Sequence, residues 1–135
     1  MRFNKLIPEL SVSDFEKSLG FYTKTLGFHV EYTRENFAFL SLQGTQLMIE
    51  KTNSIWKTGK LEHPFGRGIN FQIEVKDTSP ILRSLRKNKR VLFRKPKDSW
   101  RRKADMMLGS REFLVQDPDG YLLRFSQKLG TKTIK

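Results

Sequence analysis

The sequence predicts an α+β fold made of two βαβββ modules, each forming a small curved mixed sheet. The first half of the chain contains one amphipathic helix pattern followed by three short β-like runs, and the same order begins again after a polar interruption. The tripeptide Val75-Lys76-Asp77 also matches Val12-Ser13-Asp14, and each precedes a predicted helix. Because half of 135 residues would give a domain of marginal stability, we expect one domain covering residues 1–135.

Module one is expected to cover about residues 3–52. An apolar first strand over about 5–12 ends at Ser13 and Asp14, whose side chains can accept hydrogen bonds from the free N–H groups of a following helix. That helix is predicted by apolar residues at helical spacing, namely Phe15, Leu19, Tyr22 and Leu26. Gly27 can end the helix. Three strands are predicted to follow, at about 28–33, 37–42 and 45–51.

Module two is expected over about residues 68–128, after a polar linker over about 53–67. A strand within 69–75 leads to Asp77 and Pro80, residue types that favour a helix N-terminus. Later strands are marked at about 91–94, 112–116 and 121–126, the last two joined by the turn Asp117-Pro118-Asp119-Gly120. A long loop through Trp100 is expected before the second of these, and it contains one poorly marked strand.

The net charge of +12 is concentrated in one short stretch of the chain. Between residues 83 and 103 only Asp98 opposes a set of basic side chains, which are Arg83, Arg86, Lys87, Lys89, Arg90, Arg94, Lys95, Lys97, Arg101, Arg102 and Lys103. Such a cluster can attract nucleic acid by counterion release. It can equally be a solvated face that keeps the protein in solution, and the sequence favours this second interpretation.

Several classes of protein are excluded by composition. No cysteine is present, so disulfides, thiolate metal ligands and a cysteine nucleophile are ruled out. No apolar run approaches the roughly 20 residues that a transmembrane helix needs. The N-terminus MRFNKLIPEL lacks the apolar stretch of a secretory signal, so we expect a cytoplasmic protein with no membrane partner.

Motifs at both ends of the chain resemble those of the glyoxalase, bleomycin-resistance and dioxygenase superfamily. The matching segments are Val12-Ser13-Asp14, Ser18, Phe21-Tyr22, Leu26-Gly27-Phe28 and Asp117-Pro118-Asp119-Gly120-Tyr121. The resemblance implies a glyoxalase-like fold with a cleft between curved sheets. Ile7-Pro8-Glu9-Leu10 and Gly109-Ser110-Arg111-Glu112-Phe113 look like the antibiotic-sequestering branch. Proteins of that branch form homodimers, often by exchanging their N-terminal strands. The resemblance therefore implies a homodimer here, and Pro8 would suit the edge or hinge of an exchanged strand.

The resemblance also locates the positions at which the enzymes of the superfamily hold a divalent metal. In this chain those positions are Ile7, Glu50, Asn70 and Arg124. Isoleucine has no lone pair, arginine does not lose its proton in proteins and neutral asparagine is a weak ligand, so only Glu50 could serve as a strong ligand. We therefore expect no metal, no other cofactor and no catalysis. We further expect Glu50 and Arg124 to face each other across the cleft as a charge pair.

Sequestration requires aromatic faces that stack on a flat ligand and a few polar groups that orient it. Phe37 resembles the strand-start aromatic residue with which this branch stacks its ligand, although core packing is an equal alternative. Trp56 and Trp100 lie in the predicted irregular segments, where an indole can line a groove. Met107 or Leu108 is expected near the ligand by resemblance, beside a possible dimer interface. Glu50, Asn70 and Arg124 complete the expected ligand-binding set, although a charge pair that only braces the cavity floor is an equal alternative for Glu50 and Arg124.

These residues predict a protein that binds a planar small molecule, an antibiotic of the bleomycin type, and confers resistance without altering it chemically. The basic stretch argues for an anionic or neutral ligand if it faces the groove. Two other functions stay open. One is a divergent metal-dependent lyase or dioxygenase, and the other is nucleic-acid binding through the basic stretch, which contains Phe93 and Trp100 but no recognised reading motif.

Overall fold

The computed structural model describes residues 1–134 and contains two four-stranded sheets. The first sheet is formed by β1 (Glu9–Val12), β2 (His29–Arg34), β3 (Phe37–Leu42) and β4 (Thr45–Lys51). Its strands are ordered β1-β4-β3-β2, with β1 parallel to β4 and the other pairs antiparallel. The helix α1 (Phe15–Gly20) connects β1 to β2 and continues as a π-helical turn, Phe21–Thr25.

The second sheet repeats this arrangement and confirms the predicted α+β fold of two βαβββ units. It is formed by β5 (Asn70–Glu74), β6 (Arg94–Lys103), β7 (Met106–Gln116) and β8 (Leu122–Thr133), with α2 (Ser79–Lys87) after β5. The order β5-β8-β7-β6 and the parallel β5–β8 pair correspond to those of the first sheet. We keep the names module one and module two for the two units.

The helix boundaries follow the residues that the sequence marks. Asp14 is the N-cap of α1, and its side chain accepts a 3.1 Å hydrogen bond from the Lys17 amide. The apolar side of α1 and its continuation is buried, and Gly27 follows with φ of 91°, which a residue without a Cβ adopts at little cost. At α2, Asp77 accepts a 2.9 Å bond from the Ser79 amide, and Pro80 lies in the first turn.

Strand β6 differs from the prediction, which placed a strand at 91–94 and a long loop through Trp100. The strand begins only at Arg94 and continues to Lys103, so the poorly marked strand of the expected loop occupies most of this segment. Backbone pairing with β7 holds β6 in place, as an edge strand whose side chains are mostly exposed. No apolar alternation is needed in such a strand, which is why its charged sequence did not indicate it.

Each sheet has one face against the core and one face away from it. The core contains the apolar side of α1 and α2 and alternate strand residues, among them Leu10, Leu40, Ile49, Phe113 and Phe125. We call this side of each sheet its helix face and the opposite side its open face. Phe37 and Phe39 are buried but lie outside the core cluster, because alternation places them on the open face of the first sheet.

The turn at 117–120 joins the two modules by hydrogen bonds as well as by apolar packing. The Ser13 amide donates a 2.9 Å bond to the Asp119 carboxylate, and the Tyr22 hydroxyl donates a 2.7 Å bond to Asp117. The Tyr121 hydroxyl donates a 2.9 Å bond to the Ser11 carbonyl of module one. The motif therefore acts as the polar centre of the interface between the modules.

The N-terminal segment pairs within its own chain. The Pro8 carbonyl accepts a 2.9 Å bond from the Met48 amide, and residues Glu9–Val12 continue the parallel ladder with β4. Gln46 adds bonds to Asn4 and to the Arg2 carbonyl, each at 2.7 Å. Strand β1 is an edge strand of its sheet, as Pro8 indicated, and strand exchange with a second copy stays a prediction.

Candidate functional site

An aromatic cluster forms the centre of the open face of the first sheet. Phe37 is 3% exposed at the start of β3, with the Tyr32 ring 6.0 Å from its own ring between centroids. The guanidinium of Arg34 lies 4.0 Å from the Phe37 centroid and 5.7 Å from that of Tyr32. Tyr32 in turn stacks on Phe39 at 5.2 Å. An exposed arginine thus covers the ring that the sequence predicts as the stacking residue, in cation–π geometry.

Two carboxylates lie beside this cluster. Glu50 is the cross-strand partner of Phe37, and Glu9 projects from β1, next to β4. Burial raises the pKa of Glu9 above its usual range, and the nearby Glu50 carboxylate raises it further, whereas Arg34 lowers it. The three charged groups therefore act on one another across the same face, and the two acids outnumber the one cation.

Asn53 connects Glu50 to the loop that contains Trp56. Its amide nitrogen donates a 3.2 Å bond to Glu50, and its oxygen accepts bonds from the Ile55 amide at 2.8 Å and the Trp56 amide at 3.2 Å. The Trp56 side chain is 60% exposed. Trp56 therefore lies on a short turn that Asn53 links to Glu50. Most of its ring is exposed and can contact a ligand or a second copy of the chain.

The open face of the second sheet has a different chemistry, dominated by cations. Arg124 on β8 donates a 2.7 Å bond to Gln72 on β5 and lies 3.9 Å from the Glu112 carboxylate on β7. A shallow pocket of about 430 Å³ adjoins Glu112, and it is lined by Arg94, Lys95, Lys97, Ser99, Glu112 and Leu114. Part of the basic stretch therefore does border an open face.

The expected charge pair between Glu50 and Arg124 does not form within residues 1–134. The two residues belong to different sheets, and each has a nearer partner: Arg124 contacts Glu112 and Gln72, whereas Glu50 accepts a bond from Asn53. Arg124 pairs directly with Leu114, and Glu112 lies diagonally across from it on the same strand, so the arginine has an acid on its own sheet, although its Nε has no hydrogen-bond partner within residues 1–134. The prediction was wrong for the single chain.

Trp100, Met107 and Leu108 lie on the long extension of β6 and β7, on two different faces. Trp100 pairs with Gly109 and packs over it on the side of the helix face, and the Lys132 ammonium lies 3.8 Å from its ring. Alternation places Met107 on that same side and the 40% exposed Leu108 on the open face. Of these residues, only Leu108 shares the open face with Arg124, and Trp100 belongs to a strand rather than the irregular segment that the sequence suggested.

Asn70 opens β5 and borders the junction between the modules. A cavity of about 540 Å³ lies there between the edges of β1 and β5, and its lining includes Asn4, Pro8, Gln46, Asn70 and Gln72. It is separate from the aromatic cluster around Phe37, so the structure does not bring Asn70 together with that residue.

The residues that the resemblance places at the superfamily's metal positions do not fit a metal ion. Ile7 offers no donor atom, Arg124 presents a cation bound to Gln72, and Asn70 lies at the exposed start of β5. Glu50 alone is a strong donor, and a divalent ion needs several. Within residues 1–134 no group of three or more histidine, aspartate or glutamate side chains is arranged to hold a metal. We therefore derive no chemical step through a metal.

Sequence reasoning missed three residues that shape this site: Arg34, Glu9 and Asn53. Arg34 was interpreted as part of a turn, although Arg34 and Phe37 flank a two-residue turn, a spacing that makes them cross-strand partners and allows a cation–π contact. Glu9 alternates with apolar Leu10, a period-two pattern that places it on the open face. The role of Asn53 depends on a loop conformation that no local pattern announces.

Known structures share this arrangement of two paired βαβββ modules. The crystal structure of TioX from Micromonospora sp. ML1 superposes with a TM-score of 0.72 at 17% identity, covering 94% of this chain and 100% of that one. A structure from Alicyclobacillus acidocaldarius, described as a glyoxalase/bleomycin resistance protein/dioxygenase, gives a TM-score of 0.66 at 16% identity, with 96% of both chains covered. These likenesses establish the fold.

Residues 7–125 match the family model described as the Glyoxalase/Bleomycin resistance protein/Dioxygenase superfamily. The chain belongs to this superfamily. Within it, the chain is 27% identical to a protein named bleomycin resistance protein from Geobacillus stearothermophilus, over 91% of this chain and 96% of the relative. A protein of the same name from Staphylococcus aureus strain MRSA252 is equally similar. This superfamily member has no helix in residues 1–134 that is long and apolar enough to span a bilayer.

Proposed function

We propose that this protein binds a planar small molecule on the open face of its first sheet and sequesters it without chemical change. The observation that carries the proposal is the Phe37–Tyr32 pair, two aromatic rings placed on the side of the sheet away from the core. Aromatic side chains in such a position offer flat apolar area for a ring system once the guanidinium that covers Phe37 moves aside. Carboxylates at the edge of the cluster add the few polar groups that orient a ligand.

Arg34 defines how a ligand reaches Phe37. Its guanidinium lies over the Phe37 ring in the free chain, so a planar ligand stacks on that ring only after Arg34 moves aside or stacks on the ligand instead. A ligand with a cationic group would replace the arginine in the field of Glu9 and Glu50. The first sheet thus favours a flat group that carries positive charge, in contrast to the anionic preference that the overall charge suggests.

The relatives named bleomycin resistance proteins support an antibiotic of the bleomycin type as the ligand class. Sequestration rather than turnover is supported by the donor set at the metal positions, because isoleucine, asparagine and arginine cannot form a catalytic metal site with one glutamate. A cytoplasmic location and a role in resistance follow from this proposal.

We also propose that two copies associate so that the first sheet of one chain faces the second sheet of the other. The open faces are complementary, since Glu9 and Glu50 enrich the first in acid, whereas Arg94, Lys97 and Arg124 enrich the second in base. Such an arrangement would place Glu50 opposite Arg124 of the partner copy and would enclose a ligand between the two sheets. Exchange of β1 would strengthen the dimer.

Isothermal titration with bleomycin tests the binding, with Phe37→Ala as the variant. We expect saturable binding that the substitution weakens about tenfold or more, because one stacked aromatic contact is worth about 1 kcal/mol beyond its buried area. Phe93→Ala, which removes a 52% exposed ring elsewhere, is the matched control and should bind normally. Loss of binding in both variants, or no binding by the natural chain, contradicts the assignment of this site.

Recovery of the ligand distinguishes sequestration from catalysis. After incubation with the protein and denaturation of the complex, mass spectrometry should return the ligand with unchanged mass. Elemental analysis of the purified protein should give well under one divalent metal ion per chain. A modified product together with a stoichiometric, chelator-sensitive metal would instead establish a divergent lyase or dioxygenase.

A further inference from the structure

A strongly basic surface lies apart from the aromatic cluster, and its members come from α2, the connection after it and β6. They are Arg83, Arg86, Lys87, Lys89, Arg90, Arg94, Lys95, Lys97, Arg101, Arg102 and Lys103. We propose that this basic surface binds the phosphate backbone of double-stranded nucleic acid, independently of base sequence. This activity goes beyond the proposed binding of a small molecule.

The cations of the basic surface are accessible. All are exposed except Arg90, which is half-buried with its guanidinium 4.8 Å from the Phe21 ring. The hydrophobic face of α2 packs inward through Ile81 and Leu85, so the helix directs its arginine and lysine side chains outward. Almost all of these cationic groups are therefore accessible to a binding partner.

Acidic side chains neutralise very little of this charge. Asp98 is the single acid between residues 83 and 103, and Arg111 holds it through bonds of 2.8 and 3.0 Å. Within residues 1–134, Arg101 is the one member of the surface with a carboxylate in ion-pair range, Glu112 at 3.8 Å. The members outside the proposed dimer contact, which would take Arg94 and Lys97, are available to an external polyanion.

The three contributing segments adjoin one another along the rim of the second sheet, where alternation turns some β6 side chains, Arg94 and Lys97 among them, toward the open face. A small pocket lined by Leu85, Arg86, Arg90, Leu92 and Pro96 shows that the end of α2 adjoins the start of β6. From there β6 continues along the edge of the second sheet to Lys103. At about 3.3 Å per residue, ten residues of strand extend about 30 Å. That length is close to one turn of a B-form duplex, which rises about 34 Å.

The aromatic residues near this surface favour a duplex over a single strand. Single-stranded nucleic acid is gripped by aromatic rings on which bases stack, alongside a positive groove. Trp100 is not available for stacking on a base, because Gly109 packs against one side of it and Lys132 lies over its ring. Phe93, 52% exposed, is a lone ring. A protein that contacts only the phosphates needs no stacking ring, and its binding does not depend on base sequence.

Fluorescence anisotropy with a labelled 20-base-pair DNA duplex, over 50 to 200 mM NaCl, tests the proposal. Neutralising about four or five phosphates predicts a slope of about −4 in a plot of log affinity against log salt concentration. The triple substitution Lys89→Glu, Lys95→Glu and Lys103→Glu, which avoids the residues named for the dimer contact, should weaken binding at least tenfold and reduce the slope. The milder variant, in which the same three lysines become Gln, should bind the duplex with an affinity between those of the natural chain and the Glu variant.

The matched control places three Lys→Glu substitutions outside the basic surface, at Lys5, Lys57 and Lys60, all exposed. It changes the net charge equally and should retain affinity within about twofold. Equal losses in the two charge-reversed variants, no binding at 50 mM salt, or tighter binding of a single strand of the same length would overturn the proposal. Phe37→Ala should leave duplex binding unchanged, which separates this activity from the proposed ligand site.

Discussion

The hydroxyl of Tyr22 donates a 2.7 Å hydrogen bond to the buried carboxylate of Asp117, joining the first helix of module one to the turn of module two. Asp117 also accepts bonds from the Asp119 and Tyr121 amides, each at 2.9 Å. Burial raises the pKa of Tyr22 well above its usual value, and the Asp117 carboxylate adds to this effect, so the phenol stays a donor. Asp117 thus links the helix of one module to the backbone of the turn in the other.

Tyr22→Phe should lower the free energy of unfolding by about 1 to 3 kcal/mol, because it leaves a buried carboxylate oxygen without its donor. Urea denaturation followed by circular dichroism measures the change. Tyr32→Phe is the control, since the Tyr32 hydroxyl makes no hydrogen bond within residues 1–134 and its removal should change stability little. Equal effects of the two substitutions would show that the Tyr22–Asp117 bond contributes nothing.

Asp117 should make stability depend on pH. Burial raises the pKa of this carboxyl to about 6 although three hydrogen bonds oppose the rise. The folded state therefore binds a proton more tightly than the unfolded chain, so the contribution is full below about pH 4 and is lost as pH rises through 6. A shift of about two units corresponds to about 3 kcal/mol.

Asp117→Asn removes this titration and keeps an oxygen acceptor. Denaturation curves between pH 4 and pH 8 should show the stability difference between the natural chain and the variant falling steadily from pH 4 to pH 6 and levelling off above pH 6. Parallel pH profiles would contradict the shifted pKa of this group.

Gly109 lies under the Trp100 ring, and a Cβ at this position would come within 2.6 Å of ring atoms. Gly109→Ala should displace the indole, reduce stability by about 1 to 3 kcal/mol and change the tryptophan emission spectrum. Gly20→Ala is the contrasting change, because nothing lies within 4 Å of its added Cβ and its backbone is helical. That substitution should be neutral or stabilising, by up to about 1 kcal/mol. A well-tolerated Gly109→Ala would mean that the ring yields freely.

Arg34 should oppose the binding of a planar ligand that stacks on Phe37. Its cation–π contact, worth about 0.5 to 1 kcal/mol at an exposed site, must be broken or rearranged first. Arg34→Ala should therefore tighten binding of a planar cationic ligand about two- to fivefold in a calorimetric titration. Lys51→Ala, an exposed change at the end of β4, serves as the control. Weaker binding after Arg34→Ala would mean that the arginine contacts the ligand directly.

The fold could be predicted because its signals are local and occur twice. The apolar spacing in α1, the capping residues before both helices and the turn at 117–120 all depend on neighbours in the chain. Strand β6 could not be found in this way, since cross-strand pairing with β7 stabilises it and its own side chains carry no apolar pattern. The place of Trp100, packed on Gly109, follows from that pairing and was equally hidden.

The candidate site was predictable only in part for a related reason. Phe37 could be identified from its position at the start of a strand, and Arg34, its cross-strand partner across a two-residue turn, is identifiable only once the β2–β3 hairpin is recognised. The near-repetition of the sequence led us to expect equivalent places for Glu50 and Arg124 in the two modules, yet equivalence by repetition does not imply contact. Arg124 has a closer acid on its own sheet, and no rule of spacing along the chain identifies it.

The charged edge strand β6 has a consequence for how the protein behaves at high concentration. Ten residues of strand at the rim of a sheet leave a row of unpaired backbone groups on which another copy could build, the first step toward fibrous aggregates. Mutual repulsion between the cations of two approaching edges opposes that step. Because salt screens this repulsion, the tendency to aggregate should rise with ionic strength. The protein should therefore stay in solution longest in a buffer of low ionic strength.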